Sequence, residues 1–134
     1  MRHLTTRLRI AAWDEQPIAE FDDGSKITRA SVTLSEPADG LESGSVESVM
    51  FYRPDGTSRY VNVMRLSATL DGRSGTFVLS GDGSYDGTTA SGTSAIVPDA
   101  ATGDLVGISG SCTSTSTHVD YPYMPLELAY ELPE

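Results

Sequence analysis

The chain has 134 residues and carries 19 acidic against 9 basic side chains, a formal net charge of −10 at pH 7. This length suits one domain, and the negative charge disfavours nucleic acids and anionic membranes as partners. A single cysteine, Cys112, excludes an intrachain disulfide, and no secretory signal or transmembrane segment is recognisable. We therefore expect one cytoplasmic domain over residues 1–134.

The predicted elements are strands. Helical periodicity is almost absent, and Gly and Pro recur at short intervals between segments rich in Val, Thr, Ser and Tyr. The pattern predicts strands at residues 5–13, 26–35, 44–53, 57–70, 73–81, 88–97, 105–117 and 125–132. Closure removes exposed sheet edges, so we expect an all-β fold, an eight-stranded antiparallel barrel.

Two turns predict the register of the central strands. The sequence Arg53–Thr57 (RPDGT) predicts a type I turn with a left-handed Gly56, and Asp71-Gly72 predicts a two-residue type I′ turn. The resulting pairs are Met50 with Tyr60, Ser48 with Asn62, Leu66 with Phe77, and Met64 with Leu79.

Alternation along these strands separates a charge-free face, expected to be the interior, from a charged one. The interior set is Val46, Ser48, Met50, Tyr52, Tyr60, Asn62, Met64, Leu66, Ala68, Gly75, Phe77, Leu79 and Gly81. The outer strands add Leu8, Ile10, Ala12, Thr28, Ala30, Val32, Leu34, Leu126, Leu128, Tyr130 and Leu132. The small members Ser48, Ala68, Gly75 and Gly81 predict residual space inside the barrel.

The outer face combines charged and aliphatic side chains. Arg29 and Glu47 lie on adjacent predicted strands and are expected to pair there. The apolar side chains are those of Val49, Phe51, Val61, Val63 and Val78. Such a set favours either a homodimer interface or burial beneath the terminal loops.

No motif indicates a metal or a cofactor, and we expect neither. Along an extended strand Cys112 and His118 would lie about 20 Å apart, which is too far for a nucleophile and its base. Cys112 is interpreted as a core residue and His118 as a loop residue. Asp14 and Glu15 are expected either to line a cavity mouth or to form an acidic turn rim.

The predicted interior contains neutral hydrogen-bonding groups among apolar ones. This combination suits a hydrophobic small molecule and could support a cyclisation or isomerisation of an oriented substrate. We predict Tyr60, Tyr52 and Asn62 as the catalytic, orienting residues. The predicted ligand-binding residues are Met50, Met64, Leu66, Phe77, Leu79, Leu128 and Tyr130, with Trp13 near the mouth. The alternative is that the tyrosines are packed core aromatics with satisfied hydroxyls.

Several segments of the chain match those of a known domain family, in the same order. They are Ala12–Pro17 (AWDEQP), Lys26–Ala30 (KITRA), Tyr52–Thr57 (YRPDGT), Gly72–Leu79 (GRSGTFVL), Val97-Pro98 and Thr102–Gly110 (TGDLVGISG). Through them the chain resembles an uncharacterised bacterial domain family with an allene-oxide-cyclase-like β-barrel. The resemblance implies a superfamily of allene oxide cyclases, dirigent proteins and natural-product cyclases, which use a mostly apolar cavity and no cofactor. None of their catalytic residues maps onto this chain.

Two positions depart from the family pattern. Met64 stands where the family usually has an acid, and Ser80-Gly81 stands where Gln-His often occurs. The resemblance therefore implies a more apolar cavity, suited to a bulky ligand, and puts family-wide acid/base chemistry in doubt. The leading hypothesis is a cofactor-independent cyclase or isomerase for a polyketide- or lipid-like molecule. A carrier or sensor of an apolar ligand and a partner-binding barrel with a filled core are the alternatives.

Overall fold

A computed structural model describes residues 1–35, 41–117 and 119–133. The strands are β1 (Arg2–Glu20), β2 (Lys26–Ser35), β3 (Leu41–Tyr52), β4 (Ser58–Leu70), β5 (Arg73–Tyr85), β6 (Thr89–Ile96), β7 (Ser109–Thr117) and β8 (Tyr123–Glu131). Each strand pairs antiparallel with the next, and β1 also pairs with β8, so the sheet closes. The predicted eight-stranded antiparallel barrel is confirmed. Within the described residues, no helix has the length and apolar character needed to cross a membrane.

Both predicted hairpin turns form and set the register. Gly56 has φ +89°, and Asp71 and Gly72 have φ +52° and +79°, so all three adopt the left-handed conformation that these turns require. Met50 lies opposite Tyr60 as predicted. The other predicted pairs on β3, β4 and β5 also form. Turn geometry therefore fixes which side chains of the central strands point inward.

The first strand differs from its prediction. It continues to Glu20, and its register shifts between Ile10 and Ala12. A bulge adds one residue to one strand, so the side chains after it change faces. Ala12, which was predicted to be interior, is exposed, and Trp13 instead lies opposite the buried Val32.

One end of the barrel is closed by the connection between β6 and β7. A short 3-10 helix (Gly103–Leu105) stands where the seventh strand was predicted to begin, and Leu105 is fully buried. The connection binds β5 through Thr102 N, which donates to Thr76 O at 2.9 Å. A side chain at Gly75 would overlap the Thr102 carbonyl, so this close approach requires glycine. The packed core therefore occupies this end.

The opposite end is formed by four turns that share one device. In each turn an aspartate accepts a hydrogen bond from a nearby backbone N–H, which is a recurrent way of stabilising a turn. The pairs are Ser25 N with Asp23 (2.9 Å), Thr57 N with Asp55 (2.9 Å), Thr88 N with Asp86 (2.9 Å) and Thr117 N with Asp120 (2.8 Å). Hydrogen bonds from these turns lower the pKa of Asp23, Asp55 and Asp86, so these carboxylates are ionised at neutral pH.

The outer face has the predicted mixture of charged and apolar groups. Arg29 Nε lies 3.6 Å from Glu47 Oε2, which confirms the predicted pair. Val49 and Val61 lie opposite each other and are 42% and 57% exposed. We call Val49, Phe51, Val61, Val63 and Val78 the apolar band. The homodimer predicted to form through this band stays a prediction.

A charge in the apolar band should dissociate the dimer. We expect the wild-type protein to sediment as a dimer and Val61→Asp to sediment as a folded monomer, because a buried unpaired carboxylate is costly. The control is Val106→Asp, which places the same charge at a 60% exposed position of the closed-end connection. Sedimentation velocity is the measurement, and a monomeric wild type would contradict the prediction.

The packed end should carry most of the stability. Phe77 is fully buried there, and Phe77→Ala should lower the free energy of unfolding by about 3–5 kcal/mol. Val106→Ala removes an exposed side chain and should change it by less than about 0.5 kcal/mol. Guanidinium unfolding measures both values. Equal effects of the two substitutions would show that the core lies elsewhere.

Candidate functional site

A cavity of about 380 Å³ lies in the half of the barrel next to the four aspartate turns. Strand β1 contributes Trp13 to its wall, β4 contributes Tyr60, and the loop between β7 and β8 contributes Tyr121. Deeper positions are apolar and include Met50 and Met64. The cavity is therefore an apolar cup that is open at one end.

The space exists because two neighbouring strands bring only small side chains to it. The inward positions of β6 and β7 that line the cavity are Ala90, Gly92, Ser94, Cys112, Ser114 and Ser116. In an eight-membered ring β6 faces β2, which contributes Val32 from the opposite side. The small side chains leave uncovered the volume that larger residues would fill.

Sequence reasoning placed the residual space at other small residues, and this was wrong for most of them. Of Ser48, Ala68, Gly75 and Gly81, only Ser48 lines the cavity. The Thr102 backbone occupies the space beside Gly75, and the backbone of β6 occupies the space beside Gly81. A glycine in a strand marks close backbone approach as often as open space.

Tyr60 and Asn62 bring polar groups into the cavity from β4. Within the described part of the chain, neither the Tyr60 hydroxyl nor the Asn62 amide has a protein hydrogen-bond partner. Among the described residues, every fully buried side-chain N or O atom has a hydrogen-bond partner. The Tyr60 hydroxyl and the Asn62 amide have none, so they are not fully buried and face the open space of the cavity. Burial, and then the charge of Asp82, raise the pKa of Tyr60. Its hydroxyl is therefore protonated at neutral pH and available as a donor.

Tyr60 is held in place by the glycines of the neighbouring strands. A Cβ atom at Gly83 would overlap the phenol, and one at Gly92 would lie 3.0 Å from the hydroxyl oxygen. The ring therefore lies across the bare backbone of β5 and β6. This support fixes the direction in which the hydroxyl points.

Tyr52 has a different place from Tyr60, although both were predicted as catalytic. Its hydroxyl donates to Glu15 Oε2 at 2.9 Å, and Tyr52 is not part of the cavity wall. Burial, followed by the hydrogen bond to this carboxylate, raises the pKa of Tyr52 to about 12. The alternative interpretation, an aromatic residue with a satisfied hydroxyl, describes Tyr52.

Glu15 organises the mouth. Besides Tyr52, it accepts hydrogen bonds from Trp13 Nε1 at 2.9 Å and Thr28 Oγ1 at 2.8 Å. Partial burial raises the pKa of Glu15. The hydrogen bonds and the nearby charge of Lys26 together lower it by more, so the net shift of the Glu15 pKa is downward. Sequence reasoning left Glu15 between a mouth and an acidic rim, because the bulge in β1 that turns it inward has no clear sequence signal.

The other predicted wall residues separate into two groups. Met50 and Met64 line the cavity together with Met124, which sequence reasoning did not select. The residues outside the cavity wall are Leu66, Phe77, Leu79, Leu128 and Tyr130. They pack in the closed end, where Tyr130 donates to Asp71 at 3.0 Å. Their strands face inward as predicted, but the 97–108 connection fills that half of the barrel.

Cys112 offers no reactive thiolate. It is buried as predicted, and burial raises the pKa of its thiol to about 11. The thiol is therefore protonated at neutral pH and is a small wall element of the cavity. His118, the other member of the pair considered above, lies outside the described residues.

The Glu15 network should make stability pH-dependent. Its lowered pKa in the folded state means that its contribution is present above the unfolded-state pKa and is lost as pH falls through the folded-state pKa. We expect Glu15→Gln to be less stable than wild type at neutral pH and to converge with it as pH falls below the lowered folded-state pKa of Glu15. Urea unfolding across this range measures the effect. Glu20→Gln, at the exposed end of β1, is the control, and a gap between wild type and Glu15→Gln that is constant with pH would contradict the assignment.

Comparisons with known proteins place the fold in a family. A sequence profile described as "Protein of unknown function (DUF3224)" matches residues 4–128. A solved structure of a DUF3224 protein of unknown function from Shewanella oneidensis MR-1 is similar, with a TM-score of 0.74 and 19% sequence identity. The similarity covers 100% of this chain and 99% of that one, and at this identity it concerns the fold alone. No curated protein sequence matches the chain. Because the profile covers nearly the whole sequence, the chain belongs to the DUF3224 family.

Proposed function

We propose that the barrel binds a hydrophobic small molecule in its cavity and acts on it as a cofactor-independent cyclase or isomerase. The observation that carries the proposal is that the Tyr60 hydroxyl and the Asn62 amide, which have no protein partner among the described residues, project into a mostly apolar cup with Asp82 in its wall. Both groups face space that a ligand can occupy, so a ligand oxygen can accept hydrogen bonds from them. A carbonyl or hydroxyl oxygen on an apolar molecule fits this requirement.

The chemistry would depend on orientation and neutral hydrogen bonds. In this proposal Tyr60 and Asn62 donate to one substrate oxygen, and donors fixed before the reaction stabilise negative charge that develops there. The apolar wall would hold a flexible substrate in one reactive conformation and keep water away. A cyclisation or an isomerisation needs no further reactant, because all atoms of the product are already in the substrate.

The earlier resemblance supports the same class of reaction. We assign the barrel to the allene-oxide-cyclase-like superfamily as part of this proposal, on the basis of its eight-stranded closure and its one-ended apolar cup. Met64 lies in the cavity wall, at the position where the resembled family usually has an acid. The proposed reaction accordingly uses no side-chain carboxylate at that position.

A carrier or sensor is the second candidate. It is favoured by the small number of candidate bases in the wall: Tyr60 and Cys112 are protonated at neutral pH, and Asp82 is the one carboxylate among the described wall residues. A carrier would retain its ligand without changing it. The partner-binding alternative assumed a barrel packed solid, and the open half of this barrel is not packed.

The two candidates can be separated by the mass of what the protein releases. We would incubate the purified protein with a small-molecule extract of the producing organism and follow the mixture by liquid chromatography and mass spectrometry. An enzyme of the proposed class converts a compound into another of equal mass and different retention time. A compound that binds and is recovered unchanged would favour the carrier, and an extract without bound or altered compounds would contradict both.

Removal of the two polar groups should reduce turnover more than binding. We expect Tyr60→Phe and Asn62→Ala each to weaken ligand binding about 2- to 10-fold, as for one lost hydrogen bond. Turnover should fall about 100-fold if the donors act mainly in the transition state. Ser91→Ala, on the outer face of β6, is the control. Unchanged binding and turnover in both cavity variants would refute the site.

A further inference from the structure

We infer that the cavity selects aromatic molecules that carry no negative charge and rejects fatty-acid-like anions. This inference rests on the proposed binding function and specifies the ligand class of the same site. Two independent features of the cavity lead to it, the chemistry of its wall and the charge around its mouth.

The wall is rich in groups that favour aromatic rings. Trp13, Tyr60, Tyr85 and Tyr121 come from four different segments and surround the open half of the cavity. All three methionines other than Met1 also line it. Aromatic pairs gain energy beyond their buried area, and thioether sulfur makes favourable contacts with ring edges. An aliphatic chain would gain only burial from the same wall.

The shape of the cavity adds to this preference. Beside the Tyr60 ring, the wall formed by β6 and β7 has little side-chain relief, with Ser94 on β6 and Cys112 and Ser114 on β7. A nearly bare sheet surface is flat on the scale of one ring. Methionine side chains adapt to different shapes on the rest of the wall, so the cavity suits a planar ring system of variable outline.

The charges of the cavity wall and of the whole chain disfavour anions. Of the described residues in the cavity wall, none is basic. The four turns at this end of the barrel carry Asp23, Asp55, Asp86 and Asp120 together with Arg53, and the whole chain has a net charge of −10. A carboxylate would lose its hydration inside without gaining a cationic partner. An uncharged ring system with an oxygen for Tyr60 and Asn62 meets none of these costs.

The test uses four probes that differ in charge and in aromatic or aliphatic character. Pyrenemethanol is neutral and aromatic, pyrenemethylamine is cationic, pyreneacetate is anionic, and dodecanol is neutral and aliphatic. Trp13 is the only tryptophan and lies in the cavity wall, so its emission reports occupancy for all four. We expect pyrenemethanol and pyrenemethylamine to bind at least about tenfold more tightly than pyreneacetate and dodecanol. The difference in affinity between pyreneacetate and pyrenemethanol should become smaller as the salt concentration rises from about 20 mM to about 500 mM, because salt screens the carboxylates of the mouth.

Two pairs of variants locate the binding and test the aromatic contribution. Ser94→Leu fills the cavity and should abolish binding of every probe, whereas Ser91→Leu on the outer face of β6 should not. Trp13→Leu should weaken the binding of pyrenemethanol several-fold, with pyrene emission as the measure of binding because this variant has no tryptophan. Phe21→Leu is its control, since Phe21 is similarly exposed at 48% and lies outside the cavity wall. Circular dichroism verifies that each variant is folded.

Each outcome has a distinct meaning. Tight pyreneacetate binding that Ser94→Leu abolishes would overturn the charge selection and leave the proposed function standing. Dodecanol binding as tight as that of pyrenemethanol would overturn the aromatic selection in the same way. Absence of binding by all four probes, or binding that Ser94→Leu does not affect, would overturn both this inference and the proposed function.

Discussion

The unequal distribution of side-chain volume around and along the barrel is the constraint on which the rest of the structure depends. An eight-stranded barrel is narrow enough for its own side chains to fill it. This one is filled at one end, where the 97–108 connection packs Leu105 against the core. At the other end, β6 and β7 contribute only small inward side chains, and an open cup results. The barrel thus has one end for stability and one for a ligand.

The open end combines two kinds of polar group with different partners. Tyr52 and Trp13 are bound to Glu15 and form a fixed part of the structure. Tyr60 and Asn62 point into the cup and have no protein partner among the described residues. A site that orients a ligand requires both, a rigid frame and free groups. The distinction between two inward tyrosines of similar sequence context is therefore the central chemical feature of the molecule.

Much of the fold and several cavity residues could be predicted from local sequence, whereas the extent of the cavity could not. Turn residues such as Gly56 and Gly72 require particular backbone conformations, which fix register and hence the inward face of β3, β4 and β5. The bulge after Ile10 left no comparable signal, so the sequence left Glu15 undecided between a cavity mouth and an acidic rim. The filling of the closed end depends on where the 97–108 connection packs, which is a tertiary property. For this reason Phe77 and Leu128 were correctly placed inside the barrel and yet lie away from the cavity.

Native mass spectrometry of the protein purified from the organism that produces it is the most direct test of the central claim. We expect the intact protein to carry the additional mass of one small molecule, and denaturation to release this molecule. The released molecule should be apolar with an oxygen acceptor. Ser94→Leu prepared in the same way should have the mass of the chain alone. Identical native and denatured masses for the wild-type protein, together with failure to take up any hydrophobic dye, would contradict the claim that the open half of the barrel is a binding site.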